Sequence, residues 1–381
     1  MHNKILHVTQ YLSPGGLERM IWNLSEEIVR QGHETETFIY DQEGEKTLLP
    51  EFKEAGIKTH FMQKDSGFSW KTVKDLRALI KSGKFTAIHS HDLGALIYSA
   101  LANFLLPVKH VHTQHSFIHF KKSRLYKYYE KFFCKFPDSI VVVSPHQVEA
   151  YKELGVKAQA ITNGINYPEL NPYTESVTER RKKLLDKANF NQKGLIGPIP
   201  KLDTKWILIP GRIQRSKGQS KLFEIFKRLN SSEASQIHFI VIGAPTFETD
   251  RQELETLYKS HPEIKDSFSY LGFHSNPLTW MMASDGVALL SEFEGFPLVP
   301  LESIGIGIPT LLSDIDPHLF LKDEVTLTSL TDLEKAIQWV KLIASSENKS
   351  STEWELKKGF RQDFSIEKMT NLYQNLYENK K

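Results

Sequence analysis

The sequence predicts an α/β protein of two domains, each built around a parallel sheet. The chain has 381 residues, which is more than one hydrophobic core comfortably covers. Short apolar runs alternate with amphipathic helical patterns along most of its length, as expected when helices cover both faces of a parallel sheet. This periodicity is lost in the middle. We therefore expect a first domain over 1–168, a linker and insertion over 169–204, a second domain over 205–358 and a terminal helix over 359–381.

The composition excludes several classes of protein. Hydrophobic residues make up 40% and charged residues 25% of the chain, which is ordinary for a globular protein. A formal net charge of +2 is too small to indicate a nucleic-acid partner. The single cysteine, Cys134, excludes an internal disulfide framework and a cysteine-based zinc site. The sequence has neither a signal-peptide pattern nor an apolar run of about 18 residues, so it predicts a cytoplasmic protein.

The first domain begins with a strand, a glycine turn and a helix. The apolar segment over 4–10 predicts the strand, Gly15 and Gly16 close the turn, and apolar residues recur on one helix face up to Ile28. The turn lacks the G-x-G-x-x-G fingerprint, which disfavours NAD or FAD. The alternative to a ligand-binding glycine turn is a plain connection between strand and helix. The later predicted strands are 37–40, 58–62, 87–91, 108–114 and 139–144, with helices over 73–81 and 93–105.

Histidines crowd the carboxyl ends of these strands. They are His89, His91, His110, His112, His115 and His119. Imidazole is a common metal ligand, and His110 and His112 would share one face of a strand. No acidic residue stands nearby at a useful spacing, so structural or ligand-contacting histidines are favoured. We expect no metal and no cofactor.

A basic and aromatic segment follows, from Lys121 to Lys135, with the sequence KKSRLYKYYEKFFCK. Such a helix fits the surface of an anionic membrane. It also fits a nucleic-acid patch, which the small net charge disfavours. A half-buried helix with a solvated basic face is the remaining alternative.

In the second domain, candidate ligand contacts stand at the ends of the predicted strands, the edge where ligands bind in such sheets. Strand 206–210 leads into Arg212 and Lys217, strand 237–243 ends on Gly243, and strand 267–273 ends on Phe273. Two fixed cations at this edge suit a diphosphate.

Residues 285–314 organise the second domain. A strand over 287–290 is followed by the turn Glu294-Gly295-Phe296-Pro297, a helix from Leu298 that carries Glu302, and a strand over 309–313. A turn that opens a helix offers free N–H groups to a phosphate, and carboxylates suit sugar hydroxyls. The stretch therefore predicts a sugar-nucleotide site.

Glu-Gly-Phe-Pro, with a second Glu eight positions after the first, resembles the Glu-x(7)-Glu signature of retaining GT-B glycosyltransferases of family four. G-I-P-T-L-L-S-D, G-G-L-E-R, T-Q-H-S, N-G-I and the Gly-Arg and Lys-Gly pairs resemble other segments of that family. The resemblance covers nearly the whole chain. It implies two Rossmann-like domains with parallel sheets that face across a cleft, and a last helix that packs back on the first domain.

The resemblance also implies roles for individual residues. Glu302 would bond the ribose, and Glu294 the hydroxyls of the transferred sugar. Arg212 and Lys217 would hold the diphosphate. The remaining donor-binding residues are Gly15, Gly16, Gly243, Phe273, Gly295, Phe296, Pro297 and Leu298, and the catalytic residues are Glu294, His115, Arg212 and Lys217. His115 would contact the donor sugar or the acceptor.

The implied reaction is retaining transfer of a sugar from a UDP- or GDP-sugar to a glycan or lipid-linked acceptor, in bacterial cell-envelope or exopolysaccharide synthesis and without a metal. The enzyme would be cytoplasmic, with a candidate membrane contact through the basic segment. The alternatives are a sugar-nucleotide epimerase, a glycan phosphorylase that carries pyridoxal phosphate, and a non-catalytic protein that binds sugar nucleotides.

Overall fold

The computed structural model of the chain describes residues 2–13, 15–41, 47–64, 66–116, 124–167, 175–187, 194–274, 276–346 and 358–378. Two compact units divide the chain. The first comprises Met1–Asn166 and Gln362–Lys381, and the second Tyr167–Arg361. Each unit is built on a parallel sheet with helices between the strands, so the predicted α/β class is confirmed.

The first unit contains a seven-stranded parallel sheet in the order β3-β2-β1-β4-β5-β6-β7. Its strands are β1 Lys4–Thr9, β2 Glu34–Ile39, β3 Lys58–Phe61, β4 Ala87–His91, β5 Lys109–Gln114, β6 Ser139–Val142 and β7 Gln159–Ala160. Its helices are α1 Gly16–Arg30, α2 Leu49–Glu54, α3 Trp70–Ser82, α4 Asp92–Asn103, α5 Arg124–Phe133 and α6 Pro145–Glu153. Strand β2 begins three residues before its predicted start, because it pairs along the whole of β1.

The second unit contains a six-stranded parallel sheet in the order β10-β9-β8-β11-β12-β13. Its strands are β8 Lys205–Pro210, β9 Ile237–Ile242, β10 Phe268–Tyr270, β11 Gly286–Leu289, β12 Thr310–Ser313 and β13 Thr326–Thr328. Its helices are α7 Val177–Lys187, α8 Lys221–Phe226, α9 Ser231–Gln236, α10 Glu248–Ser260, α11 Pro277–Met281, α12 Leu298–Gly305 and α13 Glu334–Ser345. Helix α14 Lys358–Asp363 spans the boundary between the units, and α15 Ile366–Glu378 belongs to the first.

The last helix, α15, packs on the first unit through a stripe that differs from the expected one. The sequence predicts an apolar face formed by Ile366, Met369, Leu372 and Leu376, but 42% of the Leu372 surface is exposed. The buried stripe instead includes Met369, Tyr373 and Tyr377, which join Met20 and other residues in one core cluster. Spacings of four between these three residues keep them on one helix face, whereas Leu372 lies about a quarter turn away.

The described part of the expected linker and insertion, 169–204, packs as part of the second unit. The guanidinium of Arg181 on α7 is buried, donates to the Ala283 carbonyl at 2.9 Å and pairs with Asp285. It also lies 4.6 Å from the centre of the Trp206 ring. The charged sequence of α7 does not show this burial, because the partners of Arg181 lie far away in the sequence.

Candidate functional site

The order of the second sheet reverses between β8 and β11, where two connections lead away in opposite directions. Ligands of open α/β sheets bind beyond the carboxyl ends of the strands at such a point. Arg212 and Lys217 follow β8, and Glu294 follows β11. The predicted cations and the first predicted carboxylate therefore lie at the switch point.

Lys217 and Glu294 form an ion pair, with Nζ and Oε1 2.6 Å apart. Only 19% and 12% of the two side chains are exposed, so water screens the pair weakly. A backbone hydrogen bond of 2.8 Å from Glu292 N–H to the Ser216 carbonyl joins the two loops. A phosphate that binds Lys217 must compete with Glu294 for the ammonium group.

Arg212 is exposed, and its guanidinium makes no hydrogen bond or ion pair with the residues that the structure describes. Its carbonyl accepts a hydrogen bond of 2.9 Å from Gln219 Nε2, which ties the Arg212 backbone to the loop of Lys217. Of the two predicted cations in the loop after β8, Lys217 is thus neutralised by Glu294, whereas Arg212 has no carboxylate partner among the described residues.

Two glycines allow this edge of the sheet to pack closely. Gly218 has a φ of 70°, and a Cβ there would lie 2.0 Å from the Leu290 carbonyl oxygen. Gly243 has a φ of 145°, and its Cβ would lie 1.9 Å from the carbonyl oxygen of Gly211. Gly243, predicted as a donor contact, is thus also required by backbone packing beside Arg212.

The turn after β11 is built as predicted, with α12 beginning at Leu298 and no side chain capping it among the described residues. The rings of Phe296 and Phe320 stack with centroids 5.6 Å apart, which anchors the turn at Phe296. The first N–H groups of α12 are therefore available to an anion.

Glu302 lies on α12 beside Tyr167, whose hydroxyl donates to the Leu301 carbonyl at 2.8 Å. Burial and the nearby Glu302 carboxylate raise the pKa of Tyr167 well above its usual value. Phe273 follows β10 on the same sheet edge as Arg212, with 39% of its surface exposed. These positions are compatible with the predicted contacts to ribose and base.

His318, which the sequence did not predict, interacts electrostatically with the Lys217–Glu294 pair. It is fully buried in the 3-10 helix Asp316–Leu321, and its Nδ1–H donates to the Ser313 carbonyl at 2.8 Å. Burial lowers its pKa, while the charges of Glu294 and Lys217 act on it in opposite directions. An isolated histidine five residues beyond the end of β12 carries no sequence signal for this position.

In the first unit, Gly15 precedes α1 and Glu18 folds back towards it: a Cβ on Gly15 would lie 2.4 Å from the Glu18 carboxylate. That carboxylate occupies the first turn of α1, where helix dipoles favour an anion. Glu18 would therefore compete with a phosphate at the predicted Gly15–Gly16 contact.

The histidines lie on both faces of the first sheet. His7, His91 and His115 form a hydrogen-bonded row, with ring nitrogens 3.0 and 3.1 Å apart. His89 bonds Tyr377 at 2.8 Å and Thr113 at 2.7 Å. On the other face, His110 and His112 both bond the Ser90 hydroxyl, at 2.9 and 3.0 Å. His110 and His112 do share one strand face, as predicted, and there they bind a buried hydroxyl group of the protein itself. His119 lies outside the described residues.

Among the described residues, one group has the spacing to hold a metal: His7, His89 and His91, with ligand atoms within 4.8 Å of one another. Both nitrogens of His89 and His91 already take part in hydrogen bonds. A metal would have to replace those bonds, so the geometry favours the hydrogen-bonded arrangement.

Helix α5 covers most of the described part of the predicted basic segment; Lys121 and Lys122 lie outside it. Its exposed aromatic residues include Tyr128 and Phe132, at 71% and 53%. Glu130 is fully buried and accepts a hydrogen bond from Tyr151, which anchors the helix from below. None of the described helices is long and apolar enough to cross a bilayer.

Two units, each built on a parallel sheet with helices, are the architecture of GT-B glycosyltransferases. The family model described as Glycosyltransferase Family 4 matches residues 14–167, and the model described as Glycosyl transferases group 1 matches residues 197–343. The chain belongs to this family of glycosyltransferases and is an enzyme of that class.

Its relatives are distant but cover most of the chain. The O-antigen biosynthesis glycosyltransferase WclY of Escherichia coli is 23% identical over 99% of this chain and 98% of its own. The Escherichia coli UDP-Gal:alpha-D-GlcNAc-diphosphoundecaprenol alpha-1,3-galactosyltransferase is 25% identical over 70% and 68%. The crystal structure of Anabaena HepE in complex with UDP and glucose has a TM-score of 0.80 at 16% identity, over 99% of this chain and 100% of that one. The predicted GT-B fold is confirmed.

Proposed function

We propose that this enzyme transfers a sugar, with retention of its anomeric configuration, from a nucleotide-diphosphate sugar to a lipid-linked glycan of a bacterial envelope. The observation that carries the proposal is the Lys217–Glu294 pair at the switch point of the second sheet. It supplies a cation for the diphosphate and a carboxylate for the sugar within one contact. A UDP-sugar and an undecaprenol-linked acceptor are favoured by the names of the relatives.

In this mechanism, Arg212, Lys217 and the first N–H groups of α12 neutralise the charge that develops on the leaving diphosphate. The bond between the sugar C1 and the phosphate oxygen breaks, and the acceptor oxygen attacks C1 from the same face. The proton of the acceptor hydroxyl moves to the leaving phosphate oxygen. Glu294 holds the sugar hydroxyls, Glu302 the ribose, and His115 the transferred sugar. No step requires a metal.

The test is a transfer assay with UDP- and GDP-sugars and undecaprenyl-diphosphate-linked acceptors, in which NMR assigns the anomer of the product. We expect a retained anomer, weaker nucleotide binding in Glu302→Ala and lower turnover in Lys217→Ala. A true donor at 100-fold its Kd should stabilise the protein by about 2.7 kcal/mol. Inverted product, or donor kinetics unchanged in both variants, would contradict the proposal. Conversion of the donor with no acceptor would favour an epimerase.

We further propose that the enzyme works at the cytoplasmic face of a membrane, held by α5. Its exposed aromatic side chains and basic residues suit an anionic bilayer. Pelleting with vesicles that contain anionic lipid should remove the protein from solution, and Phe132→Ser should weaken this. Equal recovery in the supernatant with neutral and anionic vesicles would exclude it.

A further inference from the structure

Three histidines on neighbouring strands form a continuous row through the first sheet. His7 lies on β1, His91 ends β4, and His115 follows β5 directly. His7 Nδ1 lies 3.0 Å from His91 Nε2, and His91 Nδ1 lies 3.1 Å from His115 Nε2. The order of this sheet also reverses between β1 and β4, so the row crosses the point where ligands of such sheets bind.

Each imidazole in the row is neutral at physiological pH. Burial lowers the pKa of His7 and of His115 to about 3, and it holds the pKa of His91 well below its usual value. A neutral imidazole carries one N–H and one lone pair. Because the rings are joined in sequence, choosing the tautomer of one ring sets the tautomers of all three.

The buried end of the row, at His7, decides in which direction the N–H groups donate. His7 Nε2 is buried and has no hydrogen-bond partner among the described residues. If the N–H groups pointed from His115 towards His7, this atom would carry a buried N–H with no acceptor. Orphaned buried N–H groups are rarer in proteins than under-used acceptors. His7 therefore carries its proton on Nδ1 and donates to His91, which donates from its own Nδ1 to His115.

We infer that His7 and His91 are positioning residues that hold His115 as the Nδ1–H tautomer, so that it offers a hydrogen-bond donor to an oxygen of the substrate. Among the described residues, nothing bonds the His115 Nδ1 atom, and 7% of the residue is exposed. The His115 backbone N–H donates to Asp92 Oδ1 at 2.9 Å, which fixes the ring from the main-chain side. The sugar contact rests on the proposed function; the tautomer does not.

The tautomer can be measured directly in the substrate-free enzyme by NMR of protein labelled with ¹⁵N-histidine, with His115→Gln identifying the signals of His115. We expect a protonated Nδ1 and a bare Nε2 at pH 7. An Nε2–H tautomer or an imidazolium at His115 would overturn the inference. So would bound zinc in the purified protein that His7→Asn removes, because a metal needs the lone pairs that the row uses.

A matched pair of variants tests the role of His91. Asn and Leu have similar size, but only the Asn amide can donate to His115 in place of the imidazole N–H. His91→Leu should lose the fixed tautomer and lower kcat/KM for the donor about tenfold, the loss expected for one hydrogen bond to the substrate. His91→Asn should recover most of both.

Equal tautomers and equal kcat/KM in these two variants, at comparable Tm, would overturn the positioning role. Absence of any sugar transfer by the wild-type enzyme would instead contradict the proposed function alone, because the tautomer is read without substrate.

Discussion

Lys217 and Glu294 neutralise each other's charge at the switch point of the second unit. Because little of either side chain is exposed, each leaves an unbalanced charge if the other is removed. The pair therefore links the stability of the unliganded enzyme to the affinity of the site for phosphate.

Replacing Lys217 should separate its catalytic contribution from general surface charge. We expect Lys217→Met to lower kcat by about 100-fold, the scale of losing one preorganised group at a developing charge. Arg215→Met, in the same 3-10 helix but exposed, should change kcat by less than about twofold. Steady-state transfer assays check both, and similar losses in the two variants would indicate a non-specific charge effect.

At the scale of elements, the loop after β8 is held against the end of β11 by backbone packing. Gly218→Ala should strongly destabilise the protein, because its Cβ would meet the Leu290 carbonyl oxygen at 2.0 Å. Gly56 has a nearly identical φ of 69°, with nothing within 4 Å of its Cβ position. Gly56→Ala should therefore lower the free energy of unfolding by the backbone strain alone, about 1 kcal/mol. Gly218→Ala should lower it by at least twice that amount, as measured by chemical denaturation. Equal values would remove the steric argument.

Helix α15 is tied to the first sheet by tyrosine hydroxyls. Tyr377→Phe should cost about 1–2 kcal/mol of unfolding free energy, because it leaves the buried His89 Nδ1 without its 2.8 Å partner. The same change at Tyr128, which is 71% exposed, should have an effect below about 0.5 kcal/mol. Urea unfolding compares them, and a neutral Tyr377→Phe would mean that His89 is satisfied in another way.

For the whole molecule, buried histidines make the stability of the fold sensitive to acid. His7, His110 and His115 have pKa values lowered to about 3, by burial above all. The unfolded chain therefore binds more protons than the folded one between about pH 3 and pH 6.5, so stability is complete above pH 6.5 and falls below it. Asp92 acts oppositely, since burial raises its pKa to about 6.

Calorimetry should show this sign in the melting temperature. Each of the three imidazoles should lower the free energy of unfolding by about 1.4 kcal/mol at pH 5.5 relative to pH 7.5. Their sum outweighs the smaller opposite contribution of the single Asp92 carboxyl. We expect a clear fall in Tm between these pH values and little change between pH 7.5 and pH 8.5. A Tm that is equal or higher at pH 5.5 would mean that these rings are solvated.

The sequence by itself determined the strand and helix alternation and the edge at which the second-unit site lies. Apolar runs and turn residues are local signals, and in a parallel sheet the residues after successive strands necessarily meet at one edge. Arg212, Lys217 and Glu294 could therefore be placed at this edge before any fold was known. The Glu-x(7)-Glu spacing added their family.

Only the tertiary structure decided which side chains pair across that framework. The His7–His91–His115 row, the tyrosines of α15, His318 beside the ion pair, and the burial of Arg181 all join residues that are distant in sequence. Their partners depend on strand order and on which face of a strand or helix packs inward. Local periodicity predicts whether a residue is buried or exposed, but it does not predict which residue it will contact.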